Sequence, residues 1–137
     1  MNEVSQEEEI LKSARTVAIV GASPDVERPS YRVFNYLREQ GYRVIPVNPK
    51  FTAILNETSY PDLGAIPEKV DVVDIFRRAE DVPPIVDQAI SIGAGVVWMQ
   101  QGVINEAAAS RAREAGLQVV MDKCMRKEHL KMRGIQE

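Results

Sequence analysis

At 137 residues the chain has the length of one ordinary domain, and an apolar fraction of 45% is enough to bury a core. A net charge of −3 argues against a general nucleic-acid binder, which carries a broad basic face. The acidic start from Met1 to Glu9 is unlike a secretory h-region, and no apolar run approaches the roughly 18 residues of a membrane span, so a cytoplasmic protein without membrane association is expected.

The elements alternate along the chain. Residues 1–15 hold Glu3, Glu7, Glu8 and Glu9 against Lys12 and Arg15 and read as a solvated helix face. Thr16-Val17-Ala18-Ile19-Val20 is a β-branched strand that stops at Gly21. Residues 30–40 are helical, with Val33, Phe34 and Leu37 on one face and Gly41 as the stop signal. Arg43-Val44-Ile45-Pro46-Val47 is the second strand, and Pro46 places it at an edge or an irregular end. Residues 48–69, with Pro49, Pro61, Gly64 and Pro67, read as loop with short pieces.

Residues 70–76 form a third strand, and residues 81–92 a helix entered through Pro83-Pro84. Residues 95–99 and 117–121 are further strands, separated by a helix over 105–115 that Gly116 ends. A basic tail closes the chain and carries His129 as a solvated residue. Apolar strands alternating with amphipathic helices mean a parallel sheet buried on both faces. The expected fold is α/β, a Rossmann-like doubly wound parallel sheet of about five strands with helices on both faces, formed as one domain over 1–137.

In such sheets ligands sit beyond the carboxyl ends of the strands. After the first strand come Gly21, Ala22 and Ser23, where backbone amides and the Ser23 hydroxyl can donate to phosphate and the next helix dipole attracts anions. A tight strand–helix turn with no ligand would look the same. The loop continues through Arg28 and Ser30, and residues 21–50 hold five cations against three acids. The second strand ends Val47-Asn48-Pro49-Lys50, where an NAD site would want an acid. A cation there suits NADP or the 3′-phosphate of coenzyme A, although Asn48-Pro49 also reads as a turn. Ile75, Phe76 and Arg77 end the third strand and can flank adenine or a pantetheine arm. Gln100, Gln101 and Gly102 follow the fourth strand and offer partners for pantetheine amides.

No Ser-His-Asp, Cys-His or paired-carboxylate set is evident. The lone cysteine excludes an intramolecular disulfide, and the lone histidine argues against structural zinc. Cys124 follows the fifth strand at the same mouth of the sheet and reads either as a thiol near the ligand or as a small filler.

The order and spacing of Val20-Gly21-Ala22-Ser23, Arg28-Pro29-Ser30-Tyr31, Val47-Asn48-Pro49-Lys50, Asp74-Ile75-Phe76-Arg77, Trp98-Met99-Gln100-Gln101-Gly102 and Asp122-Lys123-Cys124 carry a family resemblance. The chain resembles the stand-alone CoA-binding domain family over residues 12–133. These small proteins are similar to the CoA-binding domain of the succinyl-CoA synthetase α subunit and of ADP-forming acyl-CoA synthetases. The resemblance implies that Gly21, Ser23, Arg28 and Ser30 hold phosphates and that Asn48, Pro49 and Lys50 line the adenosine-phosphate end. It implies that Ile75, Phe76 and Arg77 flank the adenine or pantetheine. The synthetases' phosphorylated histidine has no equivalent here, so ligase chemistry is not carried over. The expectation is a binder of CoA or an acyl-CoA without catalysis of its own. An NADP-dependent oxidoreductase is the alternative from the residues, and a CoA-responsive regulatory subunit with a protein partner or homo-oligomer is the third reading.

Overall fold

Residues 4–135 are described in the structure, a computed structural model; Glu3, counted among the acids of the first segment, lies outside them. Helix α1 (Gln6–Ser13) is capped by Ser5, whose hydroxyl accepts from the Glu8 amide, and three glutamates occupy its first turn. Strand β1 (Thr16–Val20) leads through a loop to α2 (Pro29–Glu39), which starts on a proline. Strand β2 (Arg43–Val47) is followed by a small hairpin, β3 (Ala53–Ile54) and β4 (Glu57–Thr58), and one 3₁₀ turn at Leu63–Ala65. Then come β5 (Val72–Ile75), α3 (Val82–Ser91), β6 (Val96–Met99), α4 (Glu106–Glu114), β7 (Gln118–Val120) and α5 (Met125–Met132).

Five strands pair in parallel in the order β2-β1-β5-β6-β7. The chain winds one way from β1 to β2 and the other way from β5 to β7. Strand order therefore reverses between β1 and β5, and that gap is the switch point of a Rossmann-like doubly wound sheet.

Side-chain alternation splits the core into two layers. Ala18, Val20, Val73, Ile75, Val97 and Met99 face Val82, Val86 and Ala89 of α3 and the alanines of α4. Val17, Ile19, Val72 and Trp98 face α1, α2 and α5 through Leu11, Phe34, Leu37 and Met125. The buried Trp98 indole satisfies its N–H by donating to the Lys123 carbonyl at 2.8 Å. Pro46 lies on β2, an edge of the sheet, and its carbonyl accepts from the Tyr60 amide.

Of the two terminal readings, one is extended and one changes. The first helix has the solvated face expected and also an unread buried side, where Ile10 and Leu11 are 3% exposed. His129 is not a solvated tail residue. It is buried on α5, its Nδ1 shares a 2.7 Å hydrogen bond with the Tyr36 hydroxyl, and the rings of Tyr36 and Tyr42 meet it edge-on. Burial, together with the Arg133 charge, lowers its pKa. The hydrophobic spacing of both terminal helices is weak, which is why their buried sides are hard to read. The acidic first helix and the basic last one also lie together, and Lys123 and Glu7 form an ion pair at 3.1 Å.

Candidate functional site

A cleft of about 1000 Å³ opens over the carboxyl ends of the strands. That is the upper part of the range of small-molecule and cofactor sites. Its position follows from the topology, since the loops after β1 and β5 leave in opposite directions.

The loop after β1 forms one wall. Gly21 donates its N–H to the Val47 carbonyl and has φ +91. A Cβ built on it would lie 2.5 Å from the Phe76 carbonyl oxygen. The glycine is thus required by close approach of the ends of β1 and β5, and not only by access for a ligand. Ser23 Oγ accepts from the Asp25 amide at 3.0 Å, and Asp25 Oδ1 accepts from the Glu27 amide at 2.9 Å. These short-range turns order the loop before Arg28. Arg28 precedes the first turn of α2 with no side-chain cap, which leaves the start of that helix open toward the cleft.

The loop after β2 forms the facing wall. Asn48 Nδ2 donates to the Ala22 carbonyl at 2.8 Å, and Asn48 Oδ1 accepts from the Lys50 amide at 2.9 Å. Asn48 is therefore a strut between the two loops as well as a cleft residue. The turn reading and the site reading hold together.

Gly21, Ser23, Arg28, Ser30, Asn48, Pro49, Lys50, Phe76, Arg77 and Gln101 all line the cleft. Ala22, Val47 and Ile75 do not; they are buried in the core beneath it at 1%, 3% and 0% exposure. Gly102 lies beside the cleft, with φ +88 and its N–H donated to Asp122 Oδ1 at 2.7 Å. Side chains alternate across a strand, so a motif read as a contiguous string takes in core residues with the lining ones.

Arg126 and Lys127 also line the cleft. Sequence reasoning placed them in a solvated tail. The rule that selected the other loops would have found them, because α5 starts just after the carboxyl end of β7. Counting the lining side chains, Arg28, Arg32, Lys50, Arg77, Arg78, Arg126 and Lys127 face a single acid, Glu27. Some of this charge is already balanced from outside the lining: Asp81 lies 3.4 Å from Arg77 and 3.3 Å from Arg78, and Asp25 lies 3.9 Å from Arg28. Arg32, Lys50 and Lys127, in no ion pair among the described residues, give an acidic protein a locally positive crevice.

The floor is polar and incompletely satisfied. Ser30 is 3% exposed, and its hydroxyl has no partner among the described residues. Gln100 is 5% exposed; Oε1 accepts from the Met125 amide at 3.1 Å, while its side-chain nitrogen has no described partner. Both residues open on the cleft. Their donors face the cleft, where acceptor groups of a ligand can meet them.

One layer below, Asp74 of β5 sits in register with Ile19 and Trp98. It is wholly buried, and neither carboxylate oxygen has a hydrogen-bond partner among the described residues. Burial alone drives its pKa well up and favours the neutral acid. It does not line the cleft. A smaller crevice of about 260 Å³ lies at the other end of the sheet, around Asp71 and Gly95. Asp71 is already engaged there, accepting from the Arg15 and Thr16 amides. Among the described residues no group of three or more His, Cys, Asp or Glu is placed to hold a metal, and no helix is long and apolar enough to cross a membrane.

Fold and cleft together define a class: a Rossmann-like domain with an anion-attracting crevice at its switch point. The chain belongs to the CoA binding domain family, which matches it over residues 15–130. It is 36% identical over 121 residues to the uncharacterized protein YneT of Bacillus subtilis, covering 88% of this chain and 90% of that one. A hypothetical protein from Pyrococcus horikoshii superposes with a TM-score of 0.90 at 41% identity, covering 98% of this chain and all (100%) of that one. The chain is also 32% identical over 95 residues to the ADP-forming acetate–CoA ligase II of Archaeoglobus fulgidus. That match takes 67% of this chain but only 14% of the ligase.

Proposed function

We propose that this protein binds coenzyme A or an acyl-CoA in the cleft at its switch point and has no catalytic chemistry of its own. The observation that carries the reading is the positive charge of the crevice, where Arg32, Lys50 and Lys127 stand in no ion pair among the described residues, in a chain of net charge −3. CoA brings a pyrophosphate and a 3′-phosphate, about four negative charges. The pyrophosphate would lie against Gly21, Ser23 and the open start of α2, with Arg28 beside it. The 3′-phosphate would lie by Lys50. Phe76 and Phe51, both lining the cleft, offer faces for the adenine.

Hydrogen bonds to charged groups contribute roughly 1.5–3 kcal/mol each. Three or four of them are of the right size for a micromolar site, about −8 kcal/mol, once association has been offset. The family and the partial match to an ADP-forming ligase support the ligand class. Ligase activity is a property of that longer protein.

Lys50 would also suit NADP, so the test must separate the two. Calorimetry with CoA, dephospho-CoA and NADP should give saturable heat with CoA, weaker binding of dephospho-CoA and the weakest of NADP. Absence of heat with CoA up to millimolar concentration would end the proposal. Tighter binding of NADP would transfer the site to the oxidoreductase reading. A change in native mass on adding CoA would favour a regulatory subunit.

A further inference from the structure

Cys124 lines the same cleft, and its surroundings hold it there. It is the residue just before α5, half-buried, with no hydrogen-bond partner for its thiol among the described residues. Both neighbours are pinned to the end of β6. The Lys123 carbonyl accepts from Trp98 Nε1 at 2.8 Å, the Lys123 amide donates to Met99 O at 3.3 Å, and the Met125 amide donates to Gln100 Oε1 at 3.1 Å. Asp122 adds a fourth tie, at φ +61, accepting from the Gly102 amide. A non-glycine residue at positive φ is retained only where its surroundings fix it. The turn therefore presents the sulfur rigidly.

A second observation marks the cleft for a ligand. Ser30, 3% exposed, opens on it with a hydroxyl that has no partner among the described residues. The phosphate end lies over β1 and β2, and Cys124 lies beyond β7. From β1 to β7 is three strand spacings, about 14 Å. The pantetheine arm has about a dozen chain atoms between phosphate and sulfur, equivalent to about four extended residues, or about 14 Å of reach. A CoA seated by its phosphates thus has an arm of the right length to bring its sulfur to Cys124.

Resting on the CoA reading, we propose that Cys124 is a thiol–disulfide exchange site for the sulfur of coenzyme A. The co-reactant is the oxidised form of the ligand, a CoA disulfide. The Cys124 thiol releases its proton to solvent and the sulfur attacks one sulfur of the disulfide. A bond forms between Cys124 Sγ and one CoA, the original S–S bond breaks, and the second CoA leaves as a thiolate. Cys124 is oxidised, and the departing CoA is the reduced product. A low-molecular-weight thiol reverses the step.

The experiment is intact-mass spectrometry of the full chain incubated with CoA disulfide, in parallel with glutathione disulfide at the same concentration. The expected result is one adduct of the mass of a single disulfide-linked CoA, formed at least about tenfold faster than the glutathione adduct because binding positions the sulfur. Desulfo-CoA, which fills the site without a thiol, should slow the CoA adduct and leave the glutathione adduct unaccelerated. Cys124→Ser should abolish the adduct. No adduct in a protein that binds CoA calorimetrically would overturn the inference and leave the CoA reading standing. Equal rates with the two disulfides would also overturn it, since they show only an accessible thiol. No calorimetric binding would remove the CoA reading itself.

Discussion

Replacing Gly21 by alanine tests whether the end of β1 needs a glycine for a structural reason. At φ +91 an L-residue carries strain of about 1–2 kcal/mol. The new Cβ would lie 2.5 Å from the Phe76 carbonyl oxygen and 3.1 Å from Arg77 Cδ. The arginine chain can move, but the carbonyl belongs to the backbone at the end of β5. Relieving such an overlap costs about 1–3 kcal/mol more. The sum is about 2–5 kcal/mol, or a fall in Tm of about 6–20 °C for a chain of this length. Gly41 is the control: φ is +97, and a Cβ there would meet nothing within 4 Å. Gly41→Ala should show the strain alone, about 1–2 kcal/mol. Urea unfolding of both variants measures the difference, with CoA calorimetry at a temperature where both are folded. Gly21→Ala should lose affinity and Gly41→Ala should keep it. Equal losses of stability in the two variants would refute the close-approach argument.

Arg28→Ala should weaken CoA binding at least about tenfold, with a smaller loss at high salt; unchanged affinity in a salt titration would remove Arg28 from the site. Lys50→Ala should reduce affinity for CoA more than for dephospho-CoA, and equal losses would mean that Lys50 does not read the 3′-phosphate. Asp74→Leu should stabilise the protein, because it replaces two unpaired buried oxygens with apolar atoms of similar arrangement. The raised native pKa sets the sign of the pH dependence: the acid's contribution is fully present below the unfolded value of about 3.9 and is lost as pH rises through the native value. The advantage of Asp74→Leu over wild type should therefore widen as pH is raised above about 4. A constant gap in urea unfolding across that range would show that Asp74 does not titrate with folding.

The sheet was legible because buried parallel strands are continuous β-branched runs, and Thr16–Val20 and Arg43–Val47 have the bounds read from their residues. The third strand is shorter than its apolar run. Asp71 turns back to take the Arg15 and Thr16 amides, and the ladder begins at Val72. The walls of the cleft were legible from one rule, that ligands sit beyond strand ends. The lining beyond β7 was less so. Arg126 and Lys127 lie in a segment whose composition says solvated tail, although the same strand-end rule reaches them once β7 is followed into the start of α5. The buried role of His129 depends on Tyr36, 93 positions earlier, and no local pattern announces such a pairing. Asp74 looked like part of a motif string, whereas strand alternation turns it away from the cleft and into the layer beneath Trp98 and Ile19.

The central claim is that CoA occupies this crevice, and amide chemical shifts during a CoA titration test it most directly. The account predicts a contiguous set of shifts at Gly21, Ser23, Ser30, Lys50, Arg77, Gln101 and Arg126, saturating in the micromolar range. Shifts confined to the opposite crevice around Asp71 and Gly95, or none at millimolar CoA, would contradict it.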